Sequence, residues 1–527
     1  MRTQPLRAPI KTVERNPSGK EEGASGLLAV TDDRRGRWGP QQVLIGALNG
    51  PAALVCAGVL IATACGPHTV LRQHDPLRTQ TLSVTEQRGS QVLRLGDVEL
   101  PAVDGIGIAG LTWSRDGSHL AYPAGQGGGW RIIRDGQAGP AWDAVGAPVY
   151  SADGAHLAYA ARRGRTWQVV IDDQAGSGWD GILGGTLRLS PDGRHHAYVA
   201  QTGSERVVVH DGRPDRPCQR VAQLSLSDDG GGPYYLAQVG AWAYVRCRAE
   251  VYGPFAAAAE LVSSPAGSCT YIAKQNQRWR VYVGSHEIGA YDSAAGLTRH
   301  PGGQIAYVAR LGSQERVIRG STLDPVFSGI DFRSLSYNLS GDIFGYIART
   351  HRSLNPANSG GLPATSAQVV INGTPGPNYS NIIDFQIASQ HYAYVAILPE
   401  GRTRVVIDDQ PGPMHPFVLD LQLHPTAPRA LYVTSIGGRP VISTPSGTYP
   451  YPLVLPGSLT WSPDGQHWGC IAGEDPSALY FVLDGERRKP FELDELYQTW
   501  LSGQLTAPAA ASTLRAWVRA ELARAAR

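Results

Sequence analysis

Between Leu111 and Leu493 the chain is a succession of short apolar segments separated by polar turns, and no stretch sustains a 3.6-residue apolar period. The clearest stretches are 149–173 (VYSADGAHLAYAARRGRTWQVVIDD) and 187–211 (LRLSPDGRHHAYVAQTGSERVVVHD). Each holds a short apolar segment, a Ser-x-Asp-Gly turn, a second apolar segment with a Tyr, a polar turn, and a third segment rich in Val and Ile. A looser fourth segment leads into the next copy. Segments this short, bounded by turn residues, predict strands, and four joined by hairpins predict one antiparallel sheet per unit.

The unit repeats. Its tyrosine recurs at Tyr122, Tyr159, Tyr198, Tyr235, Tyr271, Tyr307, Tyr346, Tyr394 and Tyr432, and Cys470 takes the place in a tenth copy. The intervals are 36 to 39 residues, except for 48 before Tyr394. A constant period of this size marks a repeat architecture, in which a sheet that cannot bury both faces alone packs against its neighbours. A β-sandwich would not keep the period. The prediction is an all-β chain: a β-propeller of four-stranded antiparallel blades, about ten repeats in one large ring or two smaller rings, followed by a short α-helical C-terminus. Asp-Gly pairs at 116–117, 153–154, 192–193, 229–230 and 464–465 supply the first hairpin, because both residues tolerate positive φ. A second set supplies the later hairpin: Asp135-Gly136, Asp211-Gly212, Asn372-Gly373 and Asp484-Gly485. Residues 91–105 read as a third and fourth strand, expected to complete a sheet across the ring closure.

SPDGRHHAYVA from Ser190 and SPDGQHWGCIA from Ser462 resemble the WD-repeat-like units of bacterial TolB-type propellers, in which Ser-Pro-Asp-Gly joins the inner strand to the second. The resemblance covers residues 111–493. It implies the fold class, and it loosens in the middle copies, where residues 264–267 read SPAG and 301–304 read PGGQ. That family pairs its propeller with a separate α/β domain and periplasmic partners; only residues 66–90 stand between Cys65 and the repeats, so partner identity does not carry over. TolB-type propellers also occur joined to serine peptidases, but no GxSxG is present.

Before the repeats, residues 43–65 (VLIGALNGPAALVCAGVLIATAC) are uncharged and follow Arg34, Arg35 and Arg37, the pattern of an export signal. Its end at Cys65 resembles the bacterial lipoprotein signal, which implies Cys65 as the lipidation point. The alternative is an uncleaved membrane-spanning helix. Residues 1–42 read as a disordered tail or a misassigned start, and residues 66–90 as a polar tether. The propeller is assigned to 91–493 and C-terminal helices to 494–527, where Leu514, Trp517, Val518, Leu522 and Ala525 share a face suited to docking on the propeller, a partner or a membrane.

With 47 basic and 45 acidic residues, the charge gives no reason to expect nucleic acid. His119, His156, His195, His391 and His467 recur at one register, two residues after the Asp-Gly or its equivalent, so they read as structural, and no zinc-ligand spacing is present. Gly105, Gly107 and Gly110 satisfy GxGxxG, but a strand pattern follows where a nucleotide site needs a helix. No catalytic residue, metal ligand or cofactor is assigned. Cys470 reads as a core residue, and among Cys218, Cys247 and Cys269 one disulfide and one free thiol are expected, the pairing open. The insertion 350–368 (THRSLNPANSGGLPATSAQ) is a candidate interaction loop through His351, Asn355 and Asn358. The expected function is an exported, lipid-anchored, non-catalytic binding or scaffold protein of the bacterial envelope, periplasmic or outer-membrane associated, with a protein or glycan partner. The membrane would be reached through the lipid anchor or an N-terminal helix. The alternative is a propeller enzyme, or a small-molecule or sugar-binding protein, working at the channel mouth.

Overall fold

The computed structural model describes residues 68–74, 81–87, 89–263, 267–352, 364–476 and 478–491, together with Arg515, Val518, Arg519, Glu521 and Leu522. Residues 43–65, with Cys65, lie outside them. The described chain forms eleven antiparallel sheets, here lettered A to K: 68–99, 105–138, 144–175, 181–214, 220–255, 257–291, 293–323, 329–375, 381–415, 419–450 and 453–491. Each is a meander in which consecutive strands pair, and each packs on the next in chain order. This is the β-propeller architecture of four-stranded blades, with one sheet more than the tyrosine repeat predicts.

The alternation along the second strand explains the repeat. In sheet C, Leu157, Tyr159 and Ala161 pack back onto Ala121 and Ile132 of sheet B, while Ala158 on the opposite face receives Tyr198 of sheet D. A large ring on one face and a methyl group on the other let neighbouring sheets interlock at native packing density. The recurring tyrosines are accordingly 0 to 9% exposed, and Cys470 is fully buried in the same position. Burial pushes the Tyr122 phenol up to about 12.

The first strands of neighbouring sheets are tied together directly, which marks them as the inner ones. Every first strand from sheet B onward is either interrupted or bulged. At four of these five bulges a polar side chain reaches into the following sheet. Gln223 donates to the Ala259 carbonyl (3.0 Å), and Glu260 accepts from the Gly296 and Leu297 N–H groups (3.0 and 2.7 Å). Asp384 accepts from Leu421 N–H (3.2 Å), and Asp420 from Gly457 and Leu459 N–H (2.9 and 3.2 Å).

Two expectations are corrected at the start. Where a tether was expected, His68–His74 and Thr81–Gln87 are strands. They pair in order with Ser90–Leu95 and Val98–Glu99, so residues 91–105 do not complete a distant sheet. They belong to sheet A, whose Leu82, Val84 and Leu93 pack on Ile106, Leu120 and Tyr122 of sheet B. At the other end, Val518 and Leu522 of the C-terminal segment bury against Leu455, Ile471, Leu479 and Phe481 of sheet K. Arg515 pairs with Asp420 (2.7 Å), and Arg519 donates to Thr460 (3.0 Å). Of the three docking modes, this is docking on the propeller.

Candidate functional site

The stack has two edges of different character. One carries the turns between first and second strands and between third and fourth strands; the other carries the hairpins between second and third strands.

On the turn edge, the repeated polar residues are spent on the frame. In sheets B, C, D and K, the Ser of Ser-x-Asp-Gly donates to the Asp two residues on (Ser114–Asp116 2.6, Ser151–Asp153 2.5, Ser190–Asp192 2.6, Ser462–Asp464 2.5 Å) and accepts the N–H of the register histidine. These exposed carboxylates sit below their ordinary range chiefly because of the serine hydroxyl; that of Asp116 falls to about 2. Only the glycine of this turn takes positive φ; the aspartate acts through its side chain. The later hairpin behaves as predicted, with Asp135, Asp172, Asp211, Asn372 and Asp484 at φ of 45° to 50° ahead of glycine or a second aspartate.

Each register histidine then faces that second turn. His119, His156, His195, His391 and His467 place Nδ1 at 2.6 to 2.8 Å from Oδ2 of Asp135, Asp172, Asp211, Asp408 and Asp484. Oδ1 of the same aspartate accepts the next backbone N–H. In sheets C and D the imidazole also fills the space beneath the turn of the following sheet. A Cβ on Gly193 would lie 2.4 Å from His156, and one on Gly230 would lie 1.9 Å from His195. The departing copies use a variant: His300 and His424 replace the serine and approach the Gly341 and Gly465 carbonyls at 3.2 and 2.9 Å. His156, His195, His300 and His424 are thus latches between blades, while the His–Asp pairs tie two turns of one blade together.

The cysteines are also in the frame. Cys247 of sheet E and Cys269 of sheet F form a disulfide with Cα atoms 6.1 Å apart, and Cys218 and Cys470 are buried thiols. Burial raises both thiols.

The hairpin edge is different. Four of its hairpins are held by an acceptor at the start of the blade: Gly127, Gly203 and Gly312 N–H groups donate to Asp104, Asp180 and Asp292, and Gly240 N–H to Gln219, all at 2.7 Å. Exposed apolar side chains occur on both edges: Leu339, in the turn between the first and second strands of sheet H, is 97% exposed, and the hairpin tips of sheets E, G and J carry others. Val239 and Trp242 are 41 and 51% exposed, Leu311 is 51% and Ile436 is 54%. Beside Trp242, a groove of about 280 Å³ opens between sheets E and F, lined by Leu236, Ala243 and the run Ala256–Ala259. On the same edge the hairpin of sheet H, Phe344–Arg352 with Ala364–Ile371, is longer than its counterparts and remains paired to Arg352 and Ala364. His351 lies on its ascending strand; Asn355 and Asn358 lie outside the described residues. The described ends of the sequence insertion, residues 350–352 and 364–368, therefore lie on the same edge as Trp242, Leu311 and Ile436.

No known sequence family matches the chain, and no curated relative does. Solved structures do resemble it. One is the dihydro-heme d1 dehydrogenase NirN in complex with DHE, at 12% identity over 73% of each chain and a TM-score of 0.29. Another is TolB from Acinetobacter baumannii, at 14% identity over 50% of this chain and 65% of that one, with a TM-score of 0.22. At these scores neither bears on what this chain does, and the fold stands on its own strand pairing. Among the described residues, no helix is long and apolar enough to cross a membrane.

Proposed function

We propose that the protein is an exported, lipid-anchored β-propeller that acts as a non-catalytic binding or scaffold protein of the bacterial envelope, engaging a protein or glycan partner through its hairpin edge. The observation that carries this reading is the groove beside the exposed Trp242 together with one overlong hairpin on the same edge, opposite an edge whose recurring Ser, Asp and His side chains are engaged with one another. Loops and hairpins held by a rigid scaffold are where recognition commonly resides, and aromatic side chains such as Trp242 are favoured as binding anchors. Export and anchoring rest on the apolar run 43–65 and Cys65. The test is affinity capture from crosslinked envelopes with the wild type, Trp242→Ala, and a variant in which residues 353–363 are replaced by a short turn. A partner held by the wild type and lost from either variant supports the reading; equal capture by all three contradicts it. Palmitate labelling lost in Cys65→Ser tests the anchor separately.

A further inference from the structure

Sheet D departs from the other His–Asp pairs. In sheets B, C, I and K the residue after the register histidine is Leu120, Leu157, Tyr392 or Trp468, and the residue before the turn aspartate is Arg134, Ile171, Ile407 or Leu483. In sheet D both positions are histidine, His196 and His210. Three imidazoles therefore surround one carboxylate. Asp211 Oδ2 lies 2.7 Å from His195 Nδ1 and 3.4 Å from His210 Nε2, and its Oδ1 lies 3.4 Å from His196 Nδ1. The rings of His195 and His210 stack with centroids 6.3 Å apart. Ligand atoms of His195, His210 and Asp211 all lie within 4.8 Å of one another.

We propose that His195, His210 and Asp211 form a binding site for a divalent transition metal such as zinc on the turn edge of sheet D. Two imidazole nitrogens and one carboxylate oxygen are a donor set suited to zinc, and three protein ligands leave a fourth position to solvent. The distances between these atoms are near those that separate neighbouring ligands around one ion whose bonds are about 2.0 to 2.1 Å. His210 Nε2 is also 3.2 Å from the Gly230 carbonyl, so a small ring rotation exchanges that contact for the metal. Zinc would take the place of the proton shared by His195 Nδ1 and Asp211, and that proton passes to solvent. The third imidazole stands 3.4 Å from the other carboxylate oxygen, and the backbone N–H of His196 already donates to that oxygen at 2.9 Å, which fixes the carboxylate's orientation. The ordinary His–Asp pairs have one imidazole and one carboxylate, too few to hold an ion, so the prediction is one site rather than five.

The test is equilibrium dialysis of the full chain against zinc chloride, followed by metal analysis. The comparison uses His210→Ile, which restores the residue found at this position in sheet C and so preserves the fold, and His286→Gln, an exposed histidine of sheet F, as a control. One equivalent is expected for the wild type and the control, with affinity more than about tenfold weaker in His210→Ile. Cobalt in place of zinc should give tetrahedral absorption bands that the His210→Ile protein lacks. Absence of stoichiometric zinc on the wild type, or equal binding by His210→Ile, overturns the proposal.

Discussion

At the residue scale, the recurring polar side chains each do two jobs. Ser114 accepts the His119 N–H and holds Asp116, and that hydrogen bond is the main reason the carboxyl of Asp116 lies at about 2 against an ordinary 3.8. A carboxyl whose folded pKa is depressed contributes stability above its unfolded value and loses it as pH falls toward the folded one. Asp116, Asp153, Asp192, Asp229 and Asp464 share this direction, so acidification from about pH 4 to about pH 2 weakens the turn edge. Burial pushes Asp384 and Asp420 the other way. Their contribution is largest when they are protonated and falls as pH rises past 3.8, so they partly offset the loss. Ser114→Ala should let Asp116 return toward its ordinary value. The drop in urea midpoint between pH 4 and pH 2 should then be smaller than in the wild type; an unchanged drop would show that the hydroxyl does not hold the carboxylate.

At the scale of the elements, the latch depends on the glycine that receives it. Gly193 has φ of 67°, and a Cβ there would strike His156, so Gly193→Ala should cost about 1–3 kcal/mol in urea unfolding, from strain and from displacement of the ring. The same change at Gly203, at φ of 58° in open space, should cost only the backbone part; equal losses at the two sites would remove the latch from the explanation. These elements were unequally legible in the sequence. The pairing of large Tyr with small Ala shows in the repeat because it alternates within one strand. The register of the histidines also shows, but their aspartates lie 16 or 17 residues further on, across a hairpin, and only the fold brings them together. Sheet A escaped the repeat because Ser83 stands in the place of the tyrosine and residues 75–80 contain no Asp-Gly. The inner-strand braces left a readable trace that was missed: Gln223 and Glu260, and Asp384 and Asp420, interrupt apolar segments at the repeat interval. The cluster in sheet D was hidden by the rule that explains the other blades, since a recurring histidine reads as structure until its neighbours are compared copy by copy.

For the whole molecule, the arrangement divides labour between two edges. On the turn edge, Ser, Asp and His side chains engage one another within a blade, and His156, His195, His300 and His424 reach the turn of the next. On the hairpin edge, single acceptors brace the hairpins of sheets B, D, E and G, Trp242 stands exposed beside a groove, and the long hairpin of sheet H is on the same side. The C-terminal segment covers the far face of sheet K through Val518 and Leu522, where an uncovered sheet face would otherwise meet water. The central claim is that binding of the protein or glycan partner belongs to the hairpin edge. Site-specific photo-crosslinking in the native host tests it directly, with the crosslinking residue placed singly at Trp242, Leu311 and Ile436 on that edge and at Ser118, Arg194 and Gln466 on the turn edge. Adducts to a common partner from hairpin positions, with none from the turns, are the predicted result; adducts from the turns alone would contradict it.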